Sequence, residues 1–165
     1  VPLIVLGLSG ALTHDPSAAI YVDGKLIAAA EEERFTRHKH AKNEMPLHAS
    51  RYCLKEAGFK PKDIDVVAFP FGKTSIFGKA RWHYARRYWY APDRSIDALF
   101  NGNGHYRRNV KRVRGLLSEL GISWHDIEFD GVEHHMAHAS SAYHLSGFGG
   151  KVAILGIDGK GEYAT

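Results

Sequence analysis

The first thirty residues commit this chain to a sheet. Leu3 to Leu8 is an unbroken apolar run that stops at Ser9-Gly10, the pattern of a strand buried on both faces. Ser17 to Val22 is a second run, and Asp23-Gly24 separates it from Lys25 to Ala30. Asp-Gly between two apolar runs predicts a tight hairpin. Strand and helix then alternate. Pro46 opens a predicted helix through Ala57, closed by Gly58, and Val66 to Phe69 reads as a fourth strand. Residues 76 to 120 predict two or three helices, broken near Pro92 and around Asn101-Gly102-Asn103-Gly104. A short strand, Ile127 to Val132, precedes a helix from His134 to Leu145, and Val152 to Ile157 repeats the buried-strand pattern. Strands first and alternation afterwards predict an α/β fold, a mixed sheet covered by helices.

One internal echo bears on domain organisation. Leu6-Gly7-Leu8-Ser9-Gly10 resembles Leu155-Gly156-Ile157-Asp158-Gly159, each an apolar strand entering a glycine turn where backbone can approach a phosphate. The expectation is a first subdomain over residues 1–150, with residues 151–165 as the first strand and turn of a truncated second, and the chain as a fragment of something longer. At 165 residues and 44% apolar content there is enough for a core. The single cysteine, Cys53, excludes an intrachain disulfide and a cysteine-based zinc site, which points to a reducing, cytoplasmic setting. No apolar run approaches the roughly 20 residues of a membrane span. The formal charge of +4 is mild and implies only tolerance of anionic partners.

The eleven histidines are unevenly spread. Glu133-His134-His135-Met136-Ala137-His138 is the sharpest cluster: on a helix, His134 and His138 share one face and can offer two imidazoles to one metal ion. Asp158, at the tip of the last apolar run and followed by Gly159-Lys160-Gly161-Glu162, is a carboxylate that could join them. Taken alone, the segment reads as a hairpin turn, which Asp and Gly favour. If the histidines are ligands, residues 134 to 138 are helical with both rings on one side, and Asp158 approaches that side. His14, within Thr13-His14-Asp15-Pro16-Ser17, has the chemistry of a general base, or of a plain polar turn. The run Glu31 to His40 reads as a solvated face, although Arg34, Arg37 and Lys39 could hold an anion. Residues 79–114 carry ten Lys/Arg against two Asp/Glu, interleaved with aromatics. That pattern would suit a nucleic acid or a sugar. The balance falls against nucleic acid and toward amphipathic helices whose aromatics belong to a core or an interface and whose arginines are solvated.

Four segments in this order, LGLSGALTHDPSAA, VDGKLIAAAEEERFTRHKH, EHHMAHASSAY and GIDGKGE, resemble the NodU/CmcH family of O-carbamoyltransferases. Residues 70 to 125 match only loosely. The His-x-x-x-His element also resembles hydrogenase maturation carbamoyltransferases and threonylcarbamoyl-tRNA transferases, while THDPSAA and EEERFTR favour the O-carbamoyltransferases.

The resemblance implies an actin-like (ribonuclease-H-like) mixed sheet, the first half of a duplicated domain. It implies iron, Fe(II) or a similar divalent metal, on His134 and His138, with Asp158 in a metal or nucleotide role and Asp158, Gly159 and Gly161 facing ATP. His14 would be the base toward the acceptor hydroxyl and Lys39 a basic residue of the active site. Carbamoyl phosphate would be the co-substrate, and the acceptor a small molecule bearing a hydroxyl. The partners implied are the remaining half of the actin-like domain and an adenylate-forming carboxy-terminal domain, with no membrane. The competing reading is a non-catalytic nucleotide- and metal-binding module that kept these residues without the reaction.

Overall fold

A computed structural model describes residues 1–10, 15–73, 79–101 and 103–158, and among these two compact units are distinguished. The first comprises Val1–Phe69 and Arg107–Asp130; the second comprises Pro70–Tyr106 and residues from Gly131 onward.

The first unit is built on β1 (Ile4–Leu8), β2 (Ser17–Val22), β3 (Lys25–Glu31), β4 (Val66–Phe69) and β5 (Glu128–Gly131), in the sheet order β3-β2-β1-β4-β5. β1 runs antiparallel to β2 and parallel to β4, and β2 is antiparallel to β3. The result is the mixed, helix-flanked sheet that the actin-like resemblance implied. Asp23 (φ 49°) and Gly24 (φ 76°) both take the left-handed backbone of a two-residue hairpin, which is why Asp-Gly was legible there. The register sets Leu6 beside Ile20 and Val67, all three fully buried. Ile4, Leu8, Ala18 and Phe69 extend the same face.

Two helices carry the other buried apolar residues of the unit. α2 (Leu47–Ala57) buries Ala49, Cys53 and Leu54 and packs on β2 and β3; Gly58 and Phe59 close it by donating to Lys55 and Leu54 carbonyls. α5 (Gly104–Glu119) buries Val113, Leu116 and Leu117 on one stripe, continued by Leu120 and Ile122. Between β3 and α2 lie the single-turn α1 (Glu33–Thr36) and a 3₁₀ turn at Lys39–Ala41. The turn after β1 depends on Gly10. Its φ is +84°, and a Cβ there would meet Pro16 Cα at 2.4 Å.

Cys53 shows the state of this core. Its Sγ donates to the Ala18 carbonyl at 3.4 Å. Burial pushes the thiol up from 9.0 to about 11, against a smaller lowering from the Ala30 backbone. The unfolded chain therefore ionises first as pH rises, and the stability this thiol contributes is intact below about pH 9 and lost between about 9 and 11. At pH 8, iodoacetamide is expected to label Cys53 readily in urea and negligibly in native buffer. Equal rates in the two conditions would show that α2 opens freely.

In the second unit, α3 (Lys79–Arg87) packs against α4 (Pro92–Asn101). Ser95 Oγ closes the turn between them, its one proton shared between the carbonyls of Ala85 (2.8 Å) and Tyr88 (2.7 Å). Of the aromatics expected in a core or an interface several lie outside the core, and the expectation of solvated arginines fails at Arg81. Trp82, Trp89 and Tyr90 are exposed, whereas Arg81 is buried and donates to the Leu99 carbonyl. Helix periodicity marks a stripe, and here the inner place went to a guanidinium able to satisfy a backbone oxygen. α6 (His134–Leu145) has the predicted bounds. The strand expected over 152–157 does not form: these residues pair with no strand and are exposed. A β pattern becomes a strand only where a partner edge accepts its backbone hydrogen bonds. Among the described residues no helix is long and apolar enough to cross a membrane.

Candidate metal centre

Glu133 precedes α6, and its carbonyl accepts the Ala137 amide at 2.9 Å, the first turn of the helix. One turn of helix then separates His134 from His138, so their rings meet edge to face with centroids 4.6 Å apart and an interplanar angle of 78°. The His134 ring is fixed from two sides. Phe71 stacks on it at 4.6 Å with an interplanar angle of 15°, and Nδ1 lies 3.1 Å from the Pro70 carbonyl oxygen. A carbonyl can only accept, so Nδ1 carries the proton. Nε2 is then turned toward His138 Nε2, 3.2 Å away, and Asp158 Oδ2, 2.8 Å away. Asp158 Oδ2 is also 3.5 Å from His138 Nε2.

Two imidazole nitrogens and a carboxylate oxygen this close turn lone pairs toward one another, and a cation among them would satisfy all three. Donors bound at about 2.0–2.2 Å to one ion sit roughly 3.0–3.5 Å from one another, close to the spacings here. The donor set, two histidines and one carboxylate, suits iron-type or zinc-type divalent ions. The Pro70 carbonyl on Nδ1 is the outer partner that sets a ligating histidine's tautomer. The residues present fit a metal, and the side chain of His138 leaves the cluster open on one side, being 56% exposed. His135 is not among the converging donors: both its ring nitrogens are shielded and lack a hydrogen-bond partner among the described residues.

A family profile described as "Carbamoyltransferase N-terminus" matches residues 4–165. This chain belongs to the carbamoyltransferase family. It is 33% identical over 181 residues to "Nodulation protein NolNO" of Sinorhizobium fredii, a match covering 99% of this chain and 24% of that protein. It is 37% identical over 168 residues to the Synechocystis "Uncharacterized protein sll1178", covering 98% of this chain and 26% of that one. The chain spans about a quarter of the length of these curated relatives. Among solved structures, "YeaZ from Pseudomonas aeruginosa" is similar at 15% identity with a TM-score of 0.40, covering 87% of this chain and 50% of that one.

The other candidate residues singled out in the sequence fall as follows. Lys39 opens the 3₁₀ turn of the first unit and is exposed. His14, Gly159 and Gly161 lie outside the described residues. The reading of Glu31 to His40 as a solvated face fails at Glu32, which is 1% exposed. Its carboxylate accepts the amides of His48 (3.0 Å) and Ala49 (2.8 Å) and meets His48 Nδ1 at 2.5 Å, capping α2. No local spacing links position 32 to positions 48 and 49, so sequence periodicity carried no signal for it. Arg34, a candidate anion holder, pairs instead with Glu31 at 2.9 Å.

Proposed function

We propose that this chain is the amino-terminal part of a longer O-carbamoyltransferase, which passes a carbamoyl group from carbamoyl adenylate to a hydroxyl of a sugar or other small molecule. Membership of the carbamoyltransferase family supports the group transferred. The convergence of His134, His138 and Asp158 on one point is the observation that carries an active rather than a vestigial site.

In this reading the acceptor oxygen attacks the carbamoyl carbon, the bond from that carbon to the adenylate oxygen breaks, and AMP leaves. An alcohol is a weak nucleophile, so its proton passes to His14 as the new bond forms. Lys39 offers a cation to the phosphate that departs with the nucleotide. His134, His138 and Asp158 would hold an iron-type ion, which supplies charge stabilisation to phosphate or carbonyl oxygen. Asp158, Gly159 and Gly161 would line the nucleotide's phosphates. Carbamoyl phosphate and ATP would be joined in a separate carboxy-terminal domain.

The metal assignment is testable on this chain by anaerobic titration with Fe(II), read by calorimetry and metal analysis. One ion per chain is expected. Losing an outer partner of a metal histidine typically weakens binding by about 10–100-fold, and losing the ligand itself in His134→Ala or His138→Ala should exceed that. Unchanged stoichiometry and affinity in both variants would remove the metal from this site. Carbamoylation of a sugar or polyol by the longer polypeptide, given ATP and carbamoyl phosphate, tests the reaction. Consumption of both without any carbamoylated alcohol would sink the O-transfer reading.

A further inference from the structure

The turn between β3 and α2 is built against backbone preference. Arg37, His40, Ala41 and Asn43 all have positive φ (61°, 63°, 36° and 63°), and none is glycine. Asp15, in the connection before β2, has φ 55°. Such conformations are disfavoured for residues with a Cβ and persist where surrounding contacts over-determine them.

Here the contacts converge on two residues 25 positions apart. The Asp15 amide donates to the His40 carbonyl at 2.9 Å. His40 Nδ1 donates back to Asp15 Oδ1, also at 2.9 Å. The His40 amide in turn donates to Glu33 Oε2 at 2.9 Å. The two loops are already neighbours, because Ser17 and Glu31 are partners in the β2–β3 register. Further along the same turn, Arg112 donates to the Asn43 carbonyl.

Both paired side chains are nearly half exposed, and an exposed pair of this kind contributes little to stability. Stability therefore does not account for a strained turn closed by reciprocal bonds. The three acidic and imidazole donors also lie within 4.8 Å of one another. Nδ1 and Oδ1 are taken up by each other and Oε2 by an amide, which is a hydrogen-bonded clamp rather than an open ligand set. What the clamp joins is informative: Asp15 directly follows His14, and His40 directly follows Lys39.

We propose that Asp15 and His40 form a positioning clamp that fixes the chain positions directly following His14 and Lys39 in sequence, and so acts on carbamoyl transfer through those two residues. The inference rests on the roles given to those two residues above. It assigns His40 and Asp15 no contact with substrate. Their effect is geometric, and a small misplacement of a base can cost transfer as much as about 100-fold.

The test uses the longer polypeptide and three variants at one position, with transfer to the acceptor, pyrophosphate release and melting temperature read in parallel. His40→Ala loses both the side-chain bond and tolerance of the left-handed backbone, and transfer is expected to fall about 10- to 100-fold. His40→Gly relieves the backbone but makes no bond, and is expected to stay as slow. His40→Asn tolerates positive φ and can donate to Asp15, and should recover to within about threefold of the parent. Pyrophosphate release should be unchanged throughout. Recovery by glycine equal to that by asparagine would overturn the clamp, as would parental rates in all three or a parallel loss of pyrophosphate release. His14→Asn in the same assay separates the two readings: if it is slow while His40→Ala is normal, only the clamp fails. If His14→Asn transfers at the parental rate, the role of His14 fails first and the clamp with it.

Discussion

Glu32→Ala is expected to cost about 2–6 kcal/mol, at about 1–3 kcal/mol for each of two amide donors that lose their acceptor. Glu32 is almost completely buried at the end of β3, and both its oxygens accept amides at the start of α2. Removing the carboxylate leaves the His48 and Ala49 N–H groups without acceptors and takes a negative charge from the positive end of the helix dipole. The His48 imidazole adds less, because that side chain is 53% exposed and can turn to water. Glu32→Gln keeps one accepting oxygen but directs an NH₂ at a donor, so about 1–3 kcal/mol is expected. Domains of this kind are typically stable by about 5–15 kcal/mol, so the alanine variant approaches the point of unfolding at ordinary temperature. Urea denaturation of this chain, followed by circular dichroism, measures both. A melting temperature lowered by less than about 2 °C in Glu32→Ala would show that α2 is anchored by something else.

The largest effect on catalysis is expected at His14. In the longer polypeptide, His14→Asn should slow transfer to the alcohol by about 10²–10⁴-fold, the usual size of a general-base contribution. Asparagine keeps hydrogen-bonding capacity and similar bulk but cannot take the proton. Pyrophosphate release should persist, because carbamoyl phosphate activation is assigned to another domain. Single-turnover transfer with preformed donor isolates the step. The base assignment is abandoned if transfer and activation fall together, which would indicate damage to folding or donor binding. A parental transfer rate would leave the alcohol's proton to another group.

Much of the architecture was legible before any coordinates, for local reasons. β2, β4 and α6 have the predicted bounds because each is a pattern whose period and end signals lie within its own residues. The Asp23-Gly24 hairpin follows from two positive φ angles that this dipeptide tolerates. The placing of His134 and His138 on one face is likewise a property of 3.6-residue periodicity alone. Resemblance, not periodicity, supplied the chemistry attached to them.

Other features depended on partners distant in sequence. The apolar run 152–157 has the composition of a strand, yet a strand is a relation between two edges, and composition specifies one of them. Glu32 reads as the middle of a charged run, and its burial is decided by where the α2 N-terminus comes to rest, sixteen residues on. Arg81 became an inner residue because the Leu99 carbonyl lay within its reach. The His134 tautomer is set by Pro70, 64 residues earlier, and the pairing of Asp15 with His40 exists only once β2 and β3 are zipped. By itself the sequence determined most of the helix and strand segments, 152–157 excepted, and which side chains could bind a metal or move a proton. Beyond the local pair of His134 and His138, tertiary structure decided which of those side chains meet, because contacts of about 3 Å between distant segments are encoded by no spacing along the chain.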